Sequence, residues 1–194
     1  MSAARRGVRI SGGSLRGERL EVPAGDRVRP MRTRIRESLF AILGESLAGA
    51  RWLDVFSGSG AIAVEALSRG ARRAVLVEND RGVLRILERN LQRLRLETRT
   101  RIVRQEAYSA RRLAEEPFDV IFLDPPFGDF GPGPPDPWAL VERLAGSELA
   151  ASGVIGLECP GRLEPPRTPT GCEVLTNRRY GDTRLVLWRR VLGD

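Results

Sequence analysis

The sequence predicts an α/β fold: a mainly parallel sheet with helices on both faces and an antiparallel edge. Three observations carry this reading. Short, near-continuous apolar runs recur along the chain; helical periodicities alternate with them; and glycine or proline separates one from the next.

The opening stretch reads as a β-hairpin or small extended arm, from the pieces Val8-Arg9-Ile10, Ser11-Gly12-Gly13 and 15–22. Pro30 precedes a helical pattern in which Thr33 is placed as a cap and Ile35, Leu39, Ile42 and Leu43 share a stripe. Strand and helix then alternate from residue 51. Residues 52–56 form a first strand and 61–68 a helix ended by Gly70; 74–77 form a second strand and 82–94 a second helix. A third strand is expected over 101–103, a short helix over 108–114, and an apolar fourth strand over 118–123. Asp136 caps a helix that has Pro137 in its first turn and runs to about Leu149. A fifth strand over 154–157 and a proline-rich connection over 160–169 lead to two closing strands, 173–175 and 183–188, joined near Gly181-Asp182. The chain divides into a basic N-terminal arm, 1–30, and a main domain, 31–194.

Composition bounds the function. The 194 residues suffice for one well-filled domain with a small extension. No apolar run approaches the ~20 residues of a membrane span, and the N-terminus leads into no apolar stretch, so a soluble cytoplasmic protein is expected. Cys159 and Cys172 do not make a disulfide framework. The absence of histidine excludes serine–histidine triads and histidine metal sites, and two cysteines do not complete a zinc site; no metal is expected.

All 32 basic residues are arginine, and their placement is uneven. Residues 1–36 hold ten arginines against three acids, a net of +7, while the remainder is neutral. A neutral body with a basic arm is the footprint of a protein that holds a phosphate backbone. Arg5, Arg6, Arg9, Arg16, Arg29, Arg32, Arg34 and Arg36 are the candidate nucleic-acid contacts. Genome bias would account for arginine over lysine but not for the clustering.

Asp54-Val55-Phe56-Ser57-Gly58-Ser59-Gly60 falls where the first strand turns into a helix. Gly58 and Gly60 permit a tight turn, and the helix N-terminus offers unpaired amides. Ala63 stands where a dinucleotide fingerprint needs its third glycine, and no Gly-Lys-Ser/Thr follows for a phosphate loop. The shortened loop suits a ligand with an adenosine and a compact charged amino-acid tail, although a purely structural turn has the same appearance. Glu78, about twenty residues on, stands where an acid accepts from both ribose hydroxyls, with Asn79 beside it. A solvated strand-end acid is the plainer alternative. Glu106-Ala107 is the candidate adenine contact.

Asp124-Pro125-Pro126-Phe127 directly follows the apolar fourth strand. An exocyclic base amine is a poor nucleophile because its lone pair is delocalised into the ring. Acceptors aimed at its protons let the nitrogen become more tetrahedral as a methyl group arrives. The Asp124 carboxylate and the Pro125 carbonyl supply such acceptors, the prolines hold the carbonyl rigidly, and Phe127 offers a flat surface to a base drawn out of its stack. The alternative is a strand-end turn.

Taken together these motifs resemble the amino-methyltransferases of nucleic acid. The flanks look like the bacterial 16S ribosomal RNA guanine-N2 methyltransferase family: Arg9-Ile10-Ser11-Gly12-Gly13, Arg16-Gly17, Val22-Pro23, Arg29-Pro30, Arg34-Ile35-Arg36-Glu37-Ser38-Leu39-Phe40, Glu65-Ala66-Leu67-Ser68-Arg69-Gly70-Ala71 and Tyr180-Gly181-Asp182-Thr183. The resemblance covers nearly the whole chain. It implies a Rossmann-like, seven-stranded methyltransferase fold and S-adenosylmethionine as donor, bound by Asp54, Phe56–Gly60, Glu78, Asn79, Glu106, Ala107 and Asp124. It also implies one guanine of small-subunit ribosomal RNA, free or in the particle, as target of a monomeric enzyme. Two positions depart from the family pattern: Thr33 replaces an aspartate, and Glu106 replaces a shorter aspartate.

The mechanism expected is direct transfer from the sulfonium to guanine N2. Both cysteines lie outside the motifs, which argues against a cysteine nucleophile. Adenine N6 in nucleic acid, a protein glutamine amide, and a non-catalytic RNA-binding protein are the rivals; glutamine enzymes typically carry Asn at the place of Asp124.

Overall fold

The computed structural model describes residues 7–23, 31, 33–111 and 113–191. A two-stranded hairpin, β1 (Gly7–Arg9) and β2 (Arg19–Glu21), leads to α1 (Thr33–Leu43). Then follow β3 (Arg51–Val55), α2 (Ala61–Ser68), β4 (Arg73–Val77), α3 (Arg81–Arg93), β5 (Thr100–Val103), β6 (Phe118–Leu123) and α4 (Pro137–Ser147). The chain closes with β7 (Leu149–Pro160), β8 (Cys172–Tyr180) and β9 (Thr183–Arg190). The seven strands of the main sheet are ordered β5-β4-β3-β6-β7-β9-β8. The first five of these are mutually parallel, and β9 and β8 close the edge antiparallel. This is the predicted fold class.

Apolar runs form the sheet's centre because both of its faces are covered. On one face Trp52, Leu76 and Phe122 pack with α1, α2 and α3; on the other Leu53, Val77 and Ile121 pack under α4 and the segment after β5. The hairpin belongs to the first cluster: Ile10 is 0% exposed and Leu20 1%. Its turn lies on the end of α2, where the Ser14 amide donates to Ser68 O at 2.8 Å. Gly13, with φ +78, is required there, since a Cβ would stand 2.0 Å from Ser68 O.

Four expectations differ from the structure. Thr33 is the first residue of α1 and not its cap. Among the described residues of 108–114 no helix forms: residues 107–109 make a turn, and Arg143 of α4 donates to the carbonyls of Ala107, Tyr108 and Ala110. Those are the acceptors that a continuing helix would have used. The fifth strand is longer than 154–157, because Ala150, Ala151 and Ser152 carry no strand signal of their own yet extend β7 to 12 residues. The closing strands likewise grow, to 9 residues in β8 and 8 in β9. Among the described residues no helix is long and apolar enough to cross a membrane.

Candidate active site

Because β3, β4, β5 and β6 are parallel neighbours, the segments following them converge at one end of the sheet. After β3 the chain turns through Phe56 (φ 66), Ser57, Gly58 (φ 54), Ser59 and Gly60 (φ 83) into α2. The Gly60 amide donates to Ser57 O at 2.8 Å, and that of Ser57 to Val77 O at 3.0 Å. A Cβ at Gly60 would meet Leu87 Cδ1 at 2.6 Å, so the loop lies flat on α3 only with glycine. Phe56 adopts a left-handed conformation without being glycine, a cost tolerated where surrounding contacts fix it. Its ring packs against Tyr108, centroids 5.4 Å apart.

Glu78, just beyond β4, is half-buried and turned back to this loop. It accepts from the Gly58 amide at 3.0 Å and from those of Asn79 and Asp80 at 2.8 and 2.9 Å. A carboxylate has about four acceptor positions, so roughly one stays open, and a second hydroxyl would have to share an oxygen with an amide. Glu106 is exposed; its Oε2 accepts from the Ser109 amide at 3.0 Å and stabilises the turn that buries Ala107.

Asp54 and Asp124 stand at the ends of adjacent strands. Asp54 is 1% exposed and accepts from the Ala63 amide at 3.0 Å. Burial, with the nearby charges of Asp124 and Glu78 adding to it, pushes its pKa up to about 8. The Asp124 amide donates to Val55 O at 3.2 Å, which aligns the strand ends. Burial raises the Asp124 carboxyl to about 7. Among the described residues no ion pair engages Asp54, Glu78 or Asp124.

Pro125 is buried and Pro126 exposed. Phe127 opens a single 3-10 turn, Phe127–Phe130, in which Phe127 meets Phe130 edge-on at 6.5 Å and Phe130 meets Trp138 at 5.5 Å. Asp129 of this turn accepts from Tyr108 Oη at 2.7 Å, joining the segment after β6 to that after β5. Burial pushes Cys159 up to about 12 and raises Cys172 as well. Neither thiol is prepared as a nucleophile.

Of the arginines assigned to nucleic acid, Arg5, Arg6, Arg29 and Arg32 lie outside the described residues. Arg9, Arg16 and Arg34 are exposed. Arg36 is a correction: it is 1% exposed, with Nε 2.7 Å from Glu65 Oε2 and Nη2 donating to Arg9 O at 2.5 Å. A guanidinium so engaged is structural and has no face left for phosphate. Three side chains have positioning roles that the sequence reading did not assign. Asn90 Nδ2 donates to Glu21 O at 2.9 Å and to Ser59 O at 3.0 Å, tying hairpin to glycine loop. Ser38 Oγ and Tyr180 Oη are hydrogen-bonded, tying α1 to the tip of the β8–β9 hairpin. Asn90 was detectable as an amide on the apolar stripe of α3; the Ser38–Tyr180 pair, 142 residues apart, left no local signal.

The strand order, the glycine loop and the acid trio at the parallel strand ends define the fold of the methyltransferases. The family model described as "Conserved hypothetical protein 95" matches residues 8–189, and the chain belongs to that family. It is 42% identical over 120 residues to "Ribosomal RNA small subunit methyltransferase D" of Escherichia coli K12, a match covering 62% of this chain and 60% of that protein. The chain thus spans less than two thirds of that relative's length. It is 37% identical over 187 residues to "Putative rRNA methyltransferase YlbH" of Bacillus subtilis, covering 94% of this chain and 99% of that one. It is also similar to the solved structure of an Escherichia coli protein titled "Putative methyltransferase yhhF", with a TM-score of 0.83, 33% identity and coverage of 96% and 99%.

Proposed function

We propose that this protein transfers a methyl group from S-adenosylmethionine to the exocyclic N2 of a guanine in small-subunit ribosomal RNA. The observation that carries the reading is the convergence of three motifs on adjacent strand ends: the 54–60 loop, Glu78, and Asp124-Pro125-Pro126-Phe127. Membership of a family with relatives named as ribosomal RNA methyltransferases supports RNA as the substrate. The guanine-N2 target rests on the sequence resemblance.

The residues fit such a donor. The 54–60 loop and Glu78, joined by the Gly58 amide, would hold an adenosine, and Asp54 at the base of the loop would favour a cationic ligand. When bound, S-adenosylmethionine supplies an electrophilic methyl group. This chain's residues do the rest. Phe127 stacks the extruded base, at a gain of ~1–3 kcal/mol. The Asp124 carboxylate and the Pro125 carbonyl accept from the two amine N–H groups, which localises the nitrogen lone pair for the new N–C bond. The proton released goes to Asp124, whose pKa of about 7 suits a proton acceptor near neutrality. The thiols of Cys159, which is buried, and Cys172, which is half-buried, take no part.

Incubation with tritiated S-adenosylmethionine and separate pools of small-subunit RNA, assembled small-subunit particles, DNA and protein tests the reading. Label in the RNA, recovered as N2-methylguanosine after digestion, is expected. Label in DNA, in protein or as N6-methyladenosine would replace it with one of the rivals.

A further inference from the structure

We infer that a second phosphate-binding surface lies on the C-terminal hairpin, formed by Arg162, Arg178 and Arg179 and continued by Arg34 of α1. The inference rests on the RNA-methyltransferase reading and extends it to residues outside the basic N-terminal arm.

The topology places this surface at the site. β6 and β7 are parallel, with Leu123 opposite Leu157, so the end of β7 stands beside Asp124. β9 runs back from that end, Thr183 opposite Pro160, and β8 pairs with it through Tyr180 opposite Thr183. The Gly181–Asp182 turn is therefore at the catalytic edge, two strands across from β6. Neighbouring strands lie ~4.8 Å apart and a strand rises ~3.3 Å per residue, so the turn is about 10 Å to the side of Asp124 and about 7–10 Å beyond it, within the span of a few nucleotides of backbone. Gly161 seals the corner: its amide donates to Asp182 O at 2.7 Å, and a Cβ there would stand 2.8 Å from Gly181 O. Arg162 thus emerges beside the tip.

Side-chain alternation sorts the arginines. Arg178 lies opposite Leu185 and shares a sheet face with Tyr180, the face on which α1 packs. Tyr180 Oη is hydrogen-bonded to Ser38 Oγ, and Arg34 is one helical turn before Ser38 on the same side of α1. Arg34, four residues before Ser38, and Arg178, two before Tyr180, thereby stand on either side of this contact. Arg179 points to the other face, with Nε donating to Gly181 O at 2.8 Å. All four arginines are exposed. Among the described residues no hydrogen bond or ion pair engages the guanidinium of Arg34, Arg162 or Arg178. Arg184, by contrast, is 8% exposed and engaged by Asn177, Gly161 and Glu164, so it is structural. The acids at this corner are fewer: Glu37 and Asp182 are exposed, and Glu164 is paired with Arg184. The charge-neutral body seen in sequence is therefore not neutral at the catalytic edge, and four free or half-free guanidiniums there fit a polyanion's phosphates.

The opposite end of the sheet supplies the control. There a groove of about 630 Å³ is lined by Arg51, Arg73, Arg99 and Arg101, of which Arg73 and Arg101 are exposed. The pair R162Q/R178Q and the pair R73Q/R101Q remove equal charge from opposite ends. Small-subunit RNA binding is titrated from low to high salt for both variants and the parent, with S-adenosylmethionine binding measured alongside. The inference predicts that R162Q/R178Q binds RNA about tenfold more weakly at ~0.1 M salt, with a log–log salt slope shallower by about 1.5–2, the share of two phosphate contacts. Its cofactor affinity should match the parent's, and R73Q/R101Q should bind RNA within about twofold of the parent. Equal losses in the two pairs would reduce the effect to overall charge and overturn the inference, as would parent-like binding by R162Q/R178Q. A parent protein with no affinity for the RNA would instead remove the functional reading on which the inference stands.

Discussion

Replacing Arg36 with alanine separates a structural arginine from an RNA-binding one. Its guanidinium is sealed in a network in which Glu65, 0% exposed, also accepts from Arg69 Nη2 at 2.8 Å, from the Ser11 amide at 3.3 Å and from Ser11 Oγ. Removing one member of a buried ion pair costs ~3–5 kcal/mol. Arg69 and Ser11 still hold Glu65 in the variant, so the lower end, about 3 kcal/mol, applies. For a domain of this size each kcal/mol lowers Tm by ~2–4 °C, which gives a fall of about 6–12 °C. Calorimetric melting of parent and R36A, paired with an RNA salt titration, is the assay. The double variant R36M/E65L, which replaces both charges by apolar groups, should recover most of the loss. An R36A protein that melted within about 2 °C of the parent but bound RNA with a shallower salt slope would refute the reasoning and return Arg36 to the RNA surface.

Three further predictions follow from the site. Asp54 has a pKa raised to about 8 in the fold, so ionising it opposes folding: its contribution to stability is intact near pH 4 and is lost as pH rises toward 8. D54N keeps an acceptor for the Ala63 amide and should gain on the parent steadily between pH 4 and 8; parallel stability curves would contradict this. Cofactor affinity should rise over about pH 7 to 9 as Asp54 ionises toward a cationic ligand, and isothermal titration showing a flat profile would remove Asp54 from cofactor recognition. Phe127→Leu should raise the KM for RNA by about 5- to 150-fold, the ~1–3 kcal/mol of a lost base stack, with S-adenosylmethionine affinity unchanged; an unchanged KM would deny Phe127 that role.

The sheet and its motifs were legible in sequence because they are local. A near-continuous apolar run such as 118–123, six residues long and rich in β-branched and aromatic side chains, favours a buried strand, and Asp-Pro-Pro ends it. The glycine loop and Gly60 report a backbone path that only glycine permits. What stayed hidden depended on partners far away in the chain. The segment 108–114 carries helical spacing, but Arg143 holds its carbonyls from across the sheet face. Arg36 was read as part of a basic run, although it lies on the stripe of Ile35, Leu39, Phe40 and Leu43, and its partner Glu65 interrupts the otherwise apolar α2. A cation on one apolar stripe and an anion within another apolar helix were the clue to a buried pair. The arginines of the C-terminal hairpin, neutral on average in sequence, segregate only when Ser38 and Tyr180 meet.

The central claim is that Asp124 accepts from the amine while the methyl group is transferred. Single-turnover methylation of small-subunit RNA by Asp124→Ala, with S-adenosylmethionine affinity and melting temperature measured on the same preparation, tests it most directly. The account predicts a folded protein that binds S-adenosylmethionine to within a few-fold of the parent and transfers methyl groups about 10²–10³ times more slowly, the usual cost of losing one well-aimed electrostatic partner. Transfer at the parent rate would contradict it and leave Asp-Pro-Pro-Phe as a turn that merely ends a strand.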